Sequence, residues 1–271
     1  MQKEHSTQPI MKTAHLTMSI ELLRMVLANP GDIAARLSYA DRCAESASEA
    51  DRARAGFIRG QIQLTNSDLD FLSSADGQRL HFKLADLLQR FGDTWRAPLS
   101  RFGRDLQFRN GFVECMNVKA ATLLHDGDEI FGLAPIRHMD LTDVRDVDES
   151  LFSSPHLFRL QSLGLDGCGL YNFHIRLLLD SHVTANLRWL SLEHNHLDLG
   201  AAEALAQSPD TKNLQFVELN GNPVNPCEQM GWDSGALIDL WMPPEGEDLE
   251  KRFGVLPWLH RTHGVIDRFD A

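Results

Sequence analysis

Cysteine is scarce and scattered in this sequence: four residues in 271, at Cys43, Cys115, Cys168 and Cys227, with no CxxC pair. That spacing points to reduced thiols in a cytoplasmic protein rather than to a disulfide framework. Basic residues are short as well, 26 Lys and Arg against 38 Asp and Glu, for a formal charge of −12. Phosphate is repelled by such a chain, which argues against unaided binding to nucleic acid or to an anionic membrane. The opening stretch MQKEHSTQPIMKTAHLT has no apolar run of signal-peptide length, and no later segment is long enough to span a membrane. No G-x-S-x-G, Walker loop or H-E-x-x-H occurs, so no catalytic constellation, cofactor or metal is expected. The apolar fraction of 43% and the charged fraction of 24% are ordinary for a folded protein, and the length allows one long domain or two.

What is present in abundance is leucine, in one recurring frame. Leu187–Leu197, LRWLSLEHNHL, places Leu187, Leu190, Leu192, Asn195 and Leu197 at the spacing Leu-x-x-Leu-x-Leu-x-x-Asn-x-Leu. Leu160–Leu170 fills the same frame with Cys168 where the Asn stands, and Leu214–Val224 fills it with Val217, Leu219 and Asn222. The three starts, Leu160, Leu187 and Leu214, are 27 residues apart both times. This is the spacing of a leucine-rich repeat. Its two central leucines are two apart and share one face of a short strand. The Asn or Cys at the following turn points inward, where an Asn side chain satisfies backbone groups that the turn leaves unpaired. No repeat covers its own apolar face, so repeats stack into one continuous core. Val113, Met116 and Val118, then Ile136, Met139 and Leu141, extend the frame upstream in degenerate form, for five expected strands. The apolar segments between them, Ala120–Phe131, Glu149–Ser153, Tyr171–Ser181 and Gly200–Gln207, are expected as helices on the outer side. The fold class is therefore α/β, a short solenoid with a parallel sheet on its concave face.

The chain ahead of the repeats reads as helical. Residues 1–16 are polar and expected to be loose. Met18, Leu22, Leu23, Val26 and Leu27 then form a helical stripe, with Thr17 or Ser19 as N-cap. Asp32 caps a second helix, Ser48-Glu49-Ala50-Asp51 has the pattern of a capping box for a third, and a fourth follows Asp76-Gly77 and stops at Gly92. The divisions are a helical module at 17–95, a connection at 96–110, repeats at 111–226 and a C-terminal extension at 227–271. The connection mixes basic and aromatic residues, RAPLSRFGRDLQFRN, but the overall charge sets aside nucleic-acid binding. Trp232, Trp241, Pro243-Pro244 and Trp258 mark the extension, whose aromatics are expected to cover the edge of the last strand.

Within the helical module, Leu22-Leu23, Asn29-Pro30, Ala35-Arg36-Leu37, Tyr39-Ala40-Asp41 and Phe57-Ile58-Arg59 with Gln61 and Leu64 form a pattern. Gly111-Phe112-Val113-Glu114 and Leu256-Pro257-Trp258-Leu259 complete it. It resembles the repeat-companion domain found with ribonuclease-inhibitor-like repeats in bacterial leucine-rich repeat proteins. The resemblance spans residues 19 to 260 and departs from the family at Arg42, where Trp is usual, and in the longer loop Glu45–Arg54. It implies the architecture and a binding role, and it supplies no catalytic residue.

In the strand frame, residues alternating with the buried leucines face away from the core. Row by row they are His138, Ser162, Trp189 and Phe216; Asp140, Gly164, Ser191 and Glu218; Thr142, Asp166, Glu193 and Asn220. Trp189 and Phe216 are expected as exposed neighbours and interface anchors. Asp140, Asp166, Glu193 and Glu218 are expected to steer a protein partner with a basic surface, with His138 and Asn220 in the same patch. The expected role is that of a non-enzymatic adaptor, scaffold or regulatory subunit. The alternatives are an inhibitor covering an enzyme's active site, and a metal-dependent enzyme using His194 and His196. The latter needs further ligands, whereas Asn195 is already assigned to the inward turn. Cys168 holds an inward position, which favours burial over nucleophilic chemistry.

Overall fold

A computed structural model describes residues 8–146, 149–233 and 236–260, with side chains described from Met18 onward except at 146, 149 and 230–240. It is an α/β structure in which, among the described residues, nine α-helices and a six-stranded sheet of order β1-β2-β3-β4-β5-β6 account for most of the regular structure. The strands are β1 (Gly103–Arg109), β2 (Phe112–Lys119), β3 (His138–Thr142), β4 (Ser162–Gly164), β5 (Trp189–Ser191) and β6 (Phe216–Glu218). Among the described residues no helix is long and apolar enough to cross a membrane. The chain divides into two compact units, one of Met1–Arg101, Leu106–Cys115 and Phe131–Pro135 and the other of the remaining residues.

The first unit carries α1 (Gln8–Ala28), α2 (Ile33–Ala44), α3 (Glu49–Thr65), α4 (Leu69–Ser73) and α5 (Ala75–Arg96). Asp32 caps α2 as expected, accepting from the Ala35 amide at 3.1 Å, and Ser48 caps α3. Three boundaries differ from the sequence reading. Helix α1 starts at Gln8, not at a Thr17 or Ser19 cap, because Pro9 is tolerated in a first turn and nothing between it and Met18 breaks a helix. Ser74, not Asp76-Gly77, caps α5, and Gly92 lies inside that helix rather than at its end. The short helix α4 was not anticipated.

The expected connection at 96–110 contains a strand. Asn110 and Gly111, with φ of 45° and 86°, make the two-residue turn that joins β1 to β2 as a hairpin. Asn-Gly is the favoured pair for a turn needing two positive φ values. Gly111 also admits no side chain, since the Ile58 Cα lies 2.6 Å from where a Cβ would stand. Two residues of the helical module hold this turn. The fully buried Arg36 donates to the carbonyls of Pro30, Arg109 and Asn110 and pairs with buried Glu114 at 2.7 Å. Gln61 accepts from the Gly111 amide at 2.7 Å and donates to the Phe108 carbonyl at 3.4 Å. Val26, Ala35, Ala40, Ala55, Ile58, Ile62 and Phe112 pack as the core of this unit. Beside it the Arg54 guanidinium lies 4.9 Å from the Trp95 ring centre and 5.0 Å from that of Phe108, and burial brings its pKa down to about 10.

In the second unit β4, β5 and β6 follow the 27-residue spacing, and β3 stands 24 residues ahead of β4. Met139, Leu163, Leu190 and Val217 are in register, as are His138, Ser162, Trp189 and Phe216. Leu163, Leu165, Leu190, Leu192, Val217 and Leu219 are all buried beneath the sheet. The inward turn residues behave as their chemistry requires. Asn195 Nδ2 donates to the carbonyls of Leu165 and Leu192, both at 2.9 Å, while its Oδ1 accepts from the Leu170 amide at 2.9 Å. Cys168 donates its thiol to the Leu141 carbonyl at 3.4 Å. The helices α6 (Ala120–Leu133), α7 (Asn172–Asp180) and α8 (Leu199–Gln207) fall where they were expected, whereas Glu149–Ser153 is a 3₁₀ turn.

The C-terminal extension holds the antiparallel pair β7 (Gln229–Asp233) and β8 (Ala236–Trp241), then α9 (Pro244–Phe253). The Pro257–Leu259 turn packs along β6, with Trp258 and Leu259 buried and the Glu228 amide donating to the Leu259 carbonyl at 2.7 Å. Trp258 therefore does what was expected of the extension's aromatics. Trp241 is exposed instead, and the side chain of Trp232 lies outside those described.

Candidate functional site

The face of β3–β6 opposite the leucines is built by the period-two alternation of each strand. Register places Trp189 beside Phe216, and the rings lie flat on one another, 4.6 Å between centres and 8° between planes. This contact corrects one expectation. The two aromatics are neighbours, but Phe216 is buried at 8% exposure and Trp189 is half-buried, since each ring covers a face of the other. His138 is 1% exposed and Ser162, its partner in register, is fully buried, so that end of the row is not open to a partner either.

The acids lie in the next two rows. Asp140 is half-buried, and its carboxylate occupies the space that a Cβ at Gly164 would fill. Glycine at 164 thus lets a side chain of β3 lie across β4. Asp166 is exposed and accepts from the Ser191 hydroxyl at 2.6 Å and from the Glu193 amide at 2.8 Å through one oxygen, Oδ1. Asn220 donates its Nδ2 to Glu193 at 2.9 Å and to Glu218 at 3.2 Å, and is itself held by Asn225 Nδ2 at 2.8 Å. Asp166 and Glu193 form no ion pair among the described residues, although both are positioned by neutral donors. The structure therefore brings Trp189, Asp166, Glu193, Glu218 and Asn220 together on one strip. Ser191 and Asn225 had not been assigned a part in it. Ser191 was legible as a neighbour from its row, but Asn225 lies beyond the frame and had no signal.

His194 and His196 are both exposed and do not converge. The His194 imidazole fills the space beside Gly221, and that of His196 packs on Tyr171 with ring centres 4.9 Å apart. Among the described residues no group of three or more His, Cys, Asp or Glu side chains could hold a metal ion. Cys168 is buried, and burial pushes its thiol pKa up to about 11, which keeps it protonated and poorly nucleophilic.

A second aromatic group was not anticipated. Tyr171 and Phe173, each 51% exposed, lie nearly parallel with ring centres 6.4 Å apart, next to His174 and His196. Their closeness in sequence was visible, but their exposure depends on how α7 packs. No family model, curated protein or solved structure matches this chain.

Proposed function

We propose that this chain is a non-enzymatic protein-binding module, a short leucine-rich repeat arc carrying an N-terminal repeat-companion domain. It would serve as an adaptor or regulatory subunit in the bacterial cytoplasm and hold a protein partner on the concave repeat face. One observation supports this above others: half-buried Trp189 shares a strip with Asp166 and Glu193, two carboxylates held in place by neutral donors and lacking an ion pair among the described residues. A rigid aromatic beside uncompensated charge is how an interface anchors and steers a partner of opposite charge. Phe216 acts in this reading by stiffening Trp189 rather than by direct contact.

The test is purification of the tagged protein from its source cells alongside a Trp189→Ala, Glu193→Gln variant that retains its circular dichroism spectrum. A stoichiometric partner present with the parent and lost with the variant is the expected result. A partner retained by the variant would move the binding site off this face. Absence of any partner across a range of salt would remove the adaptor reading.

A further inference from the structure

Helix α1 of the first unit is longer than the helix it packs on. Its 21 residues rise roughly 31 Å, against roughly 18 Å for the 12 residues of α2, which follows after a connection at residues 29–32. From Met18 onward α1 buries Val26 and turns Met18, Glu21, Met25 and Ala28 outward, with Met18 58% and Met25 52% exposed. These four are three and four residues apart, which makes them one stripe along the helix. The helix runs back unbroken to Gln8, so in sequence the same stripe continues through Ala14 to Met11. Met11, Met18 and Met25 are thus seven apart, and Ala14, Glu21 and Ala28 each follow by three, the a and d positions of a heptad repeat.

Exposed apolar side chains at heptad spacing are a seam for a second helix. This seam is its own complement when reversed. About a two-fold axis between Ser19 and Ile20, Met11 stands opposite Ala28, Ala14 opposite Met25 and Met18 opposite Glu21, so every methionine position meets a different and slimmer or shorter one. Two parallel copies would instead set Met opposite Met and Ala opposite Ala, an uneven seam, and Glu21 opposite Glu21, where like charges repel. The one carboxylate of the stripe is already neutralised, since Arg24 pairs with Glu21 at 2.6 Å. Reversal also lays the half of each helix that packs on its own α2 along the half of the other that outruns α2. We infer that this chain forms a two-fold dimer through antiparallel α1 helices. None of the concave-strip residues takes part in it.

Sedimentation velocity of the full chain over a wide concentration range tests the dimer. The mass should rise with concentration from 30.5 kDa to twice that value. A Met18→Lys, Met25→Lys variant, changed only at exposed positions, should stay at the single-chain mass with an unchanged circular dichroism spectrum. Orientation is read by cross-linking. Ala14→Cys and Met25→Cys chains mixed under mild oxidation should give a disulfide-linked dimer, and neither should do so alone. The native thiols do not compete, because Cys43, Cys115, Cys168 and Cys227 are all buried. A chain that is monomeric at every concentration leaves the stripe to a different protein and overturns the inference. A dimer that survives the lysine variant, a mixture that gives no linked dimer, or Met25→Cys linking to itself as parallel helices would, each overturns it as well.

Discussion

Asn195 and Asn222 stand 27 residues apart and bind the same three groups, two in the preceding repeat and one in their own. Asn195 donates to the carbonyls of Leu165 and Leu192 and accepts from the Leu170 amide; Asn222 donates to Leu192 and Leu219 and accepts from the Leu197 amide at 3.1 Å. Each partner of Asn222 lies 27 residues after the corresponding partner of Asn195. A second pair does the same at the outer turns, where Asn186 donates to the Phe158 carbonyl at 3.1 Å and Asn213 to the Ala185 carbonyl at 2.8 Å. The stack is thus joined by side-chain amides as well as by the sheet.

Asn195→Ala should therefore destabilise the second unit by about 3 kcal/mol, since buried carbonyls and an amide lose their partner. Asn222→Ala, at a half-buried position, should cost less. Urea unfolding of both variants measures the difference, and equal losses would show that burial does not set the cost.

Leu190→Ala and Leu192→Ala each empty a fully buried position and should cost about 2–5 kcal/mol. Trp189→Ala gives up mainly its ring contact with Phe216, worth about 0.5–1.5 kcal/mol. Melting temperatures of the three variants should separate accordingly. A loss for Trp189→Ala as large as for the leucines would assign the indole to the core.

Gly164→Ala should push the Asp140 carboxylate off β4 and cost about 1–3 kcal/mol. In an Asp140→Ala background the same change should be nearly neutral, because the space is then free. A double-mutant cycle read by thermal unfolding checks this, and additive costs would mean that the two side chains do not compete for that space.

The close of the extension should depend on pH through Glu250. Burial pushes its carboxyl up, but the hydrogen bonds from the His260 ring at 2.8 Å and the Leu256 amide at 3.1 Å outweigh this, and the group lies below its ordinary value. A depressed folded pKa contributes stability that is fully present above the unfolded pKa and is lost as pH falls through the folded one. The stability advantage of the parent over Glu250→Gln should shrink on acidification from neutral pH through the carboxylate range. A difference that stays constant over that range would contradict the account.

Much of this was legible in one dimension, because a leucine at a fixed spacing has one thing it can do. Leu163, Leu190 and Val217 had to share a face, and that alone set the register that brings Trp189 beside Phe216 and Ser191 beside Glu218. Asn195, polar among leucines, could only be an inward turn residue. The hairpin at Asn110-Gly111 was equally written in sequence but was masked by the basic residues around it.

What the sequence determined by itself was local and periodic: strand faces, helix caps and the inward polar turn. What only the tertiary structure decided was exposure. Alternation assigns a side chain to a face without saying what lies over it, so Phe216 and His138 were placed correctly and their burial was not foreseen. The carboxylates could be counted from the sequence. That Ser191, Asn220 and the Glu193 amide hold them in position depends on donors of neighbouring repeats meeting them at 2.6–3.2 Å, a relation created by the stacking itself.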